Sequence, residues 1–294
     1  MRRRLLAAVA LYALVSAEAC AQSAATSPGG PDLQSPIVGE EVPYIRTPQA
    51  VVDKMLDLAE VGPDDVLIDL GSGDGRIVIT AALERGARGF GVELDPRLVD
   101  ASNEAARQAG VAARARFYVR DLFETDIREA SVLTMYLLPE VNLQLRPRLL
   151  NQLRPGTRVV SHDWDMGEWQ PDAKAVLEGM SKPVMPVQAS TVYLWIVPAK
   201  VAGTWKVQLE GAKPDSMEIE FTQRFQEISG FARRTGGRTL LQSAHLRGAE
   251  IRFAVIDVTR RPSVPLQFFG RVYGDTMEGS TGGGRLWRAL RKAD

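Results

Sequence analysis

One stretch of the chain, residues 66–79, constrains the fold more than any other. It opens with an apolar run rich in branched residues, which is typical of a buried parallel strand, and it closes with the composition of a helix. Between the two lie Gly71, Gly73 and Gly75. Glycines let a ligand approach the backbone, and the first N–H groups of a helix lack intrahelical partners. The stretch therefore predicts a strand, a glycine loop and a helix, with a nucleotide-like cofactor over the loop.

The spacing of the glycines separates two classes of cofactor. A dinucleotide-binding turn has the pattern Gly-x-Gly-x-x-Gly, but Arg76 stands where its third glycine belongs. A carboxylate, Glu93, ends the next predicted strand, and an ionised carboxylate accepts two hydroxyl donors side by side, as a ribose requires. The glycine spacing weighs against NAD, which stays the alternative together with other nucleotides.

The run Asp69, Gly71, Gly73, Gly75 resembles the first motif of class I S-adenosylmethionine (SAM) methyltransferases. Residues 44 to about 197 look like a bacterial group of that class related to protein-lysine methyltransferases, including the mitochondrial type that modifies a subunit of the ATP synthase. The resemblance implies a doubly wound, Rossmann-like α/β domain with SAM as cofactor. The cofactor-binding residues that we predict from it are Asp69, Gly71, Ser72, Gly73, Asp74, Gly75, Glu93, Asp121 and Leu122.

The substrate side is predicted from the ends of two later strands. Many amine methyltransferases place an aromatic group after the fourth strand, where this chain has Tyr136; packing is the alternative role for that ring. The fifth strand ends in loop 161–169, which carries three carboxylates and two indoles that suit a cationic side chain. We predict Tyr136, Asp163 and Trp164 as substrate-side residues.

Hydrolase and metal chemistry are disfavoured. Ser161, His162 and Asp163 are adjacent on an extended strand, so their side chains alternate between faces, and no Gly-x-Ser-x-Gly exposes the serine. The second histidine of the chain, His245, lies in another region, and no zinc pattern is present. No metal site is predicted.

The amino terminus has the features of an export signal. Three arginines precede an apolar core, residues 5–15, that is too short to span a membrane, and small residues surround Cys20. We predict a signal peptide over 1–21 and a flexible linker over 22–43, hence an exported or periplasmic protein with no transmembrane segment after signal removal. An uncleaved amino-terminal anchor is the alternative.

From residue 203 the sequence pattern changes to short segments that alternate apolar with polar residues, separated by glycine turns. This predicts a small antiparallel all-β barrel or sandwich over 200–294, after a methyltransferase domain over 44–199. Residues 191–197 are expected to be the strand that closes the first sheet, and residues 279–284 a flexible hairpin.

Charge and motifs together define the expected function. Lys and Arg number 36 and Asp and Glu number 36, so overall charge gives no reason to expect a nucleic-acid partner. We expect methyl transfer from SAM to an acceptor amine, of a protein lysine or of a small molecule. An exported methyltransferase-like binding or scaffold module without turnover is the other hypothesis. The oligomeric state is not predicted.

Overall fold

A computed structural model of the chain describes residues 45–179, 189–211, 215–234, 237–256 and 263–292. The predicted signal peptide (1–21) and linker (22–43) lie outside these described residues, so both stay predictions. In the part that is described, no helix is both long and apolar enough to cross a membrane.

The amino-terminal half is built on a seven-stranded sheet. Its strands are β1 (Val66–Leu70), β2 (Arg88–Glu93), β3 (Ala115–Val119), β4 (Val132–Met135), β5 (Arg158–His162), β6 (Ala173–Glu178) and β7 (Ala189–Ile196). They lie in the order β3-β2-β1-β4-β5-β7-β6. The first five strands run parallel to one another, whereas β7 is antiparallel to both β5 and β6. The strand order reverses between β1 and β4, and such a point opens a ligand crevice at the carboxyl ends of the strands.

Helices cover both faces of this sheet. They are α1 (Gln49–Leu58), α2 (Arg76–Glu84), α3 (Pro96–Gln108) and α4 (Pro139–Gln152). Apolar residues of α1, α2 and α3 pack with Leu67 in one core, whereas α4 packs with Ile68 and Leu70 in another. Successive strand residues therefore face opposite cores, as buried parallel strands require.

Two sequence expectations for the first sheet need correction. The strand expected at residues 191–197 begins earlier, at Ala189, and it lies inside the sheet between β5 and β6. The edge strand is β6, which sequence reasoning missed because it alternates half-buried with exposed positions and contains no aromatic residue. Helix α1 follows Pro48, its N-cap, and the hydroxyl of the preceding Thr47 contacts His162 of β5 at 3.3 Å.

The carboxy-terminal half is one antiparallel sheet. Its nine strands are β8 (Gly203–Leu209), β9 (Asp215–Arg224), β10 (Glu227–Arg234), β11 (Gly237–Leu240), β12 (Gln242–Arg247), β13 (Glu250–Ile256), β14 (Pro265–Tyr273), β15 (Thr276–Thr281) and β16 (Leu286–Arg291). The order is β11-β10-β9-β8-β16-β15-β14-β13-β12, so only Leu241 separates the two edge strands along the chain. The sheet therefore curls nearly into a barrel, which confirms the predicted antiparallel β region.

Aromatic rings fill the interior of this curled sheet. The buried rings of Phe253 and Phe268 stack with centroids 4.7 Å apart, and Trp287 meets both edge-on. The hairpin expected at residues 279–284 is present but tighter, because residues 279–281 belong to β15 and the turn to β16 spans residues 282–285. Gly279 has its own reason to be glycine: a Cβ there would lie 1.9 Å from the Phe269 carbonyl oxygen.

Candidate active site

The predicted site residues come together at one edge of the first sheet. Asp69 lies at the carboxyl end of β1, Glu93 ends β2, and Asp121 follows β3 by two residues. Tyr136 follows β4 directly and Asp163 follows β5. Because these five strands are parallel neighbours, their carboxyl ends share one edge, and the sequence-predicted cofactor and substrate residues face the same crevice.

Asp69 is the most perturbed carboxyl group of this crevice. It is 2% exposed, and its Oδ1 accepts a hydrogen bond from the Thr134 hydroxyl at 2.7 Å, while Oδ2 is buried with no hydrogen-bond partner among the residues that the structure describes. Burial raises the pKa of Asp69 to about 7; the Thr134 hydrogen bond opposes this shift, and the charges of Glu93 and Asp74 add to it. A buried carboxylate oxygen without a hydrogen-bond partner suits a cationic donor from a ligand, such as an amino group.

The glycine loop is tightly packed. Gly71 and Gly75 have φ of +76° and +77°, and a Cβ on Gly75 would lie 2.6 Å from the ring of Phe117. The amides of Gly71 and Ser72 donate to the Val92 carbonyl at 3.0 and 2.9 Å, so the backbone of the loop is tied to the end of β2. The Ser72 hydroxyl is buried and has no hydrogen-bond partner among the described residues.

Glu93 links the loop to the end of β2. Its Oε2 accepts from the amide of Gly73 at 3.1 Å, and its Oε1 accepts from the amides of Leu94 and Asp95 at 2.7 and 3.2 Å. These bonds fix the carboxylate in the crevice, and Oε2, which accepts a single amide, keeps a second lone pair for a hydroxyl donor. In this arrangement Glu93 has room for one of the two ribose hydroxyls that the sequence assigned to it, because Oε1 already accepts from two amides.

Asp121 and Leu122 form the turn after β3. One oxygen of Asp121 caps this turn by accepting from the Phe123 amide at 2.7 Å. Leu122 is half-buried, and its carbonyl accepts from Arg148 of α4 at 2.8 Å. The turn is therefore held in place at the carboxyl end of β3, where the sequence predicts cofactor contacts.

Asp74 has a different neighbourhood from the other predicted cofactor residues. Its carboxylate accepts from Nε and Nη2 of Arg76 at 2.8 and 2.5 Å, and Arg46 lies 3.4 Å away. Arg76 also donates to the Thr47 carbonyl at 2.8 Å. Through Arg46 and Arg76, Asp74 thus joins the glycine loop to the segment before α1. Asp74 therefore orders the site by its contacts with arginine.

On the acceptor side, Tyr136 and Asp163 contact each other. The Tyr136 hydroxyl donates to Asp163 Oδ2 at 3.1 Å, and Asp163 Oδ1 accepts from the Thr191 amide at 3.0 Å. Burial and the nearby Asp163 charge raise the pKa of the Tyr136 phenol above its usual value, so the phenol stays protonated at neutral pH. The pair therefore offers a phenolic oxygen that is polarised by its hydrogen bond to the Asp163 carboxylate.

His162 lies beneath this pair. It is 1% exposed, its ring centre is 3.9 Å from that of Tyr136, and its Nε2 is 3.4 Å from Asp163 Oδ2. Its ring nitrogens contact the hydroxyls of Thr47 at 3.3 Å and Ser190 at 3.0 Å. His162 therefore supports Tyr136 and Asp163 from within the fold, and the described residues hold no cluster suited to a metal ion.

The two indoles of the loop after β5 separate. Trp164 is half-buried near the crevice, and its carbonyl accepts from Asn142 at 3.2 Å. Trp169 is fully buried and packs against Phe225 of the second sheet, so it does not line the acceptor side as the sequence implied. Tyr193 of β7 is partly buried, and burial raises the pKa of its phenol, with the charges of Asp165 and Asp163 adding to the shift.

Sequence reasoning missed the residues that orient the predicted ones. The Thr134 hydroxyl contacts Asp69, and the hydroxyls of Thr47 and Ser190 contact His162. The partners in these contacts lie 28 to 115 residues apart along the chain. Thr134 stands opposite Asp69 in the β1–β4 register, which is known only once the strands are paired. No local pattern in the chain marks these positions.

The donor set of the crevice fits SAM. Asp69 offers a buried, unpaired carboxylate oxygen, and Glu93 offers a fixed carboxylate one strand away. The strand order and the glycine loop complete the cofactor site of a class I, SAM-dependent methyltransferase.

Comparison with known proteins identifies the family. Residues 69–173 match the family model of the ANTKMT methyltransferase domain. The chain is 41% identical over 161 residues to a protein-lysine N-methyltransferase of Saccharolobus islandicus, a match that covers 53% of this chain and 94% of the relative. The chain belongs to this methyltransferase family, and its cofactor is SAM. The sequence-based predictions of the family, the enzyme class and the cofactor are confirmed, and the NAD alternative falls.

Other relatives are matched over shorter shares. The chain is 37% identical to the mouse adenine nucleotide translocase lysine N-methyltransferase, over 45% of this chain and 58% of that protein. It is 41% identical to a mouse lysine N-methyltransferase named for a subunit of the ATP synthase, over 36% of this chain and 42% of that protein. A solved structure described as an RNA methyltransferase from Salinibacter ruber with S-adenosyl-L-homocysteine is 55% identical, over 53% of this chain and 95% of that one, with a TM-score of 0.49.

Proposed function

We propose that this methyltransferase transfers the methyl group of SAM to the ε-amine of a lysine in a protein substrate. The observation that carries the proposal is the 3.1 Å hydrogen bond from Tyr136 to Asp163 at the carboxyl ends of β4 and β5, beside the cofactor crevice. Relatives named as protein-lysine N-methyltransferases support the same acceptor.

The chain's task in this reaction is to position an amine and remove its proton. When bound, SAM supplies a methyl group that its sulfonium has already activated. An amine accepts a methyl group only through its free lone pair, so the ammonium that arrives must lose a proton first. The oxygen of Tyr136 accepts a hydrogen bond from the ammonium, and Asp163, which accepts a hydrogen bond from the Tyr136 hydroxyl, attracts the charge. Asp163 is the group we assign as proton acceptor, and orientation supplies much of the remaining rate.

The surroundings of Tyr136 favour a lysine over a small neutral acceptor. Asp163 and Asp165 lie close enough to Tyr193 to raise the pKa of its phenol, so two carboxylates and two phenols share this part of the crevice. Trp164 follows Asp163 directly in the chain and is half-buried. Carboxylates attract an ammonium and aromatic faces attract its charge, which suits a long cationic side chain.

A pair of conservative variants tests the acceptor site. Asp163→Asn keeps the acceptor oxygen for the Thr191 amide and tolerates the φ of +65°, but it removes the charge. It should lower kcat by about a hundredfold, the scale of a lost general base, while S-adenosylhomocysteine binds as before.

Tyr136→Phe should raise KM for the protein acceptor. Tyr118→Phe, on the exposed edge strand β3, is the matched control. Unchanged kinetics in both test variants would exclude these residues from the acceptor site.

The acceptor itself is identified with tritiated SAM. The enzyme is incubated with an extract of cells that lack its gene, and the protein, RNA and small-molecule fractions are separated and hydrolysed. The expected label is Nε-methyllysine from the protein fraction. Label confined to RNA or to small molecules would overturn the lysine assignment while leaving methyl transfer intact.

We also propose that residues 1–21 direct export, for which the support is their composition alone: basic residues, a short apolar core and small residues at 19–21. Fractionation of cells and amino-terminal sequencing of the mature protein test this. A protein that keeps Met1 and stays with the cytoplasmic fraction would contradict it.

A further inference from the structure

The second sheet has no role in the chemistry described so far, and the family match ends at residue 173, before that sheet begins. Its β9–β10 turn nevertheless contacts loop 163–170, which carries Asp163 and Trp164. We propose that this turn, through Phe225, holds loop 163–170 in position and so makes the second sheet a working part of the acceptor site. The inference rests on the proposed acceptor side, but its test does not require the acceptor to be known.

The near end of the loop is fixed in a conformation that the surroundings must maintain. Asp163 has a φ of +65°, which L side chains rarely adopt. Thr191 of β7 holds it from two sides: the Asp163 amide donates to the Thr191 carbonyl at 2.6 Å, and the Thr191 amide donates to Asp163 Oδ1 at 3.0 Å. The carboxylate that faces Tyr136 therefore depends on where the loop leaves β5.

The far end of the loop is held by the second sheet. Trp169 is fully buried, and its ring lies nearly parallel to that of Phe225, at 17° with centroids 6.2 Å apart, within the range of offset stacking. Trp195 of β7 flanks Trp169 with centroids 6.0 Å apart, and Gln226 donates to the Gln170 carbonyl at 2.7 Å. Without the Phe225 ring, one side of Trp169 loses its cover.

Phe225 also supports the middle of the loop through Arg146 of α4. The Arg146 guanidinium lies 5.7 Å from the Phe225 ring centre and donates to the Met166 carbonyl at 2.8 Å. The nearby ion pair of Arg224 with Glu168, at 2.9 Å, has both side chains more than half exposed, so it contributes little. Phe225 is thus the residue of the turn whose loss should release the loop.

The test measures amide hydrogen exchange of the full-length protein by mass spectrometry. Phe225→Ala should speed exchange in loop 163–170 by about tenfold, since a stacked aromatic pair and its buried area stabilise the closed loop on that scale. Phe225→Tyr keeps the ring and should restore slow exchange. Phe269→Ala, on the exposed outer face of the same sheet, is the matched control and should leave the loop unchanged.

The pattern of exchange separates positioning from simple destabilisation. The proposal requires faster exchange in the loop with unchanged exchange in β13 and β14 and an unchanged affinity for S-adenosylhomocysteine. Equal loop exchange in Phe225→Ala and the wild type would overturn it, and so would an increase spread over the whole second sheet. If Phe225→Ala does not fold, Phe225→Leu, which keeps apolar volume and loses only the ring, gives the same comparison.

Discussion

The buried carboxyl group of Asp69 makes cofactor binding depend on pH. In the free protein, burial raises the pKa of Asp69 to about 7. A cationic amino group of the ligand binds the ionised form, so the cofactor must compete with the proton. Since the folded pKa lies above the ordinary value, the bound proton stabilises the free folded protein at low pH, and this stabilisation is lost as the pH rises towards about 7.

The size of the effect follows from that pKa. The apparent affinity for S-adenosylhomocysteine falls by a factor of one plus the ratio of protonated to ionised Asp69. This factor is about 11 at about pH 6 and about 1.3 at about pH 7.5. Binding of S-adenosylhomocysteine should therefore weaken about eightfold between these two values, while the ligand's own amino group stays largely protonated. The increase in Tm on adding S-adenosylhomocysteine should likewise be smaller at the lower of the two pH values.

Calorimetric titration of S-adenosylhomocysteine at the two pH values is the assay. Asp69→Asn keeps an acceptor for the Thr134 hydroxyl and removes the titrating charge, so its binding should be weaker and independent of pH. Asp100→Asn, an exposed carboxylate on α3, should behave as the wild type does. A wild-type affinity that is flat between these values, or an equal slope in Asp69→Asn, would refute the reasoning.

Three further predictions address the site and the second sheet. Glu93→Ala should weaken binding of S-adenosylhomocysteine by at least about tenfold, as measured by calorimetry, because the loop amide and the ribose both lose their acceptor. Trp164→Ala should lower methyl transfer and leave that affinity alone; an equal fall in both would assign the loop to the cofactor site. Phe268→Ala removes a ring stacked on Phe253 inside the curled sheet, and urea unfolding should show a loss of about 3–5 kcal/mol; a loss under about 1 kcal/mol would mean that the core is not packed as described.

The cofactor half of the site could be predicted because its signals are local. Glycines at fixed spacing after an apolar strand, and an acid at the end of the next strand, lie within 25 residues of one another along the chain, from Asp69 to Glu93. The strands and helices around them follow from period and turn residues, so the order of elements could be written down before the structure.

The acceptor half could be predicted only as a list of candidates. The contact between Tyr136 and Asp163 joins residues 27 apart, and the Thr47 contact with His162 joins residues 115 apart. Trp169 and Trp164 look alike in sequence, and only the docking of the second sheet buries one and leaves the other at the crevice. Contacts of this kind depend on the register of the strands and on the packing of the two sheets.

A crystal structure of the protein with S-adenosylhomocysteine tests the central claim most directly. We expect the ligand at the carboxyl ends of β1 to β3, with its amino group on Asp69 Oδ2, one of its ribose hydroxyls on Glu93, and its sulfur facing Tyr136 and Asp163. A ligand bound elsewhere, or in this crevice with its sulfur turned away from that pair, would contradict the assignment of the two halves of the site.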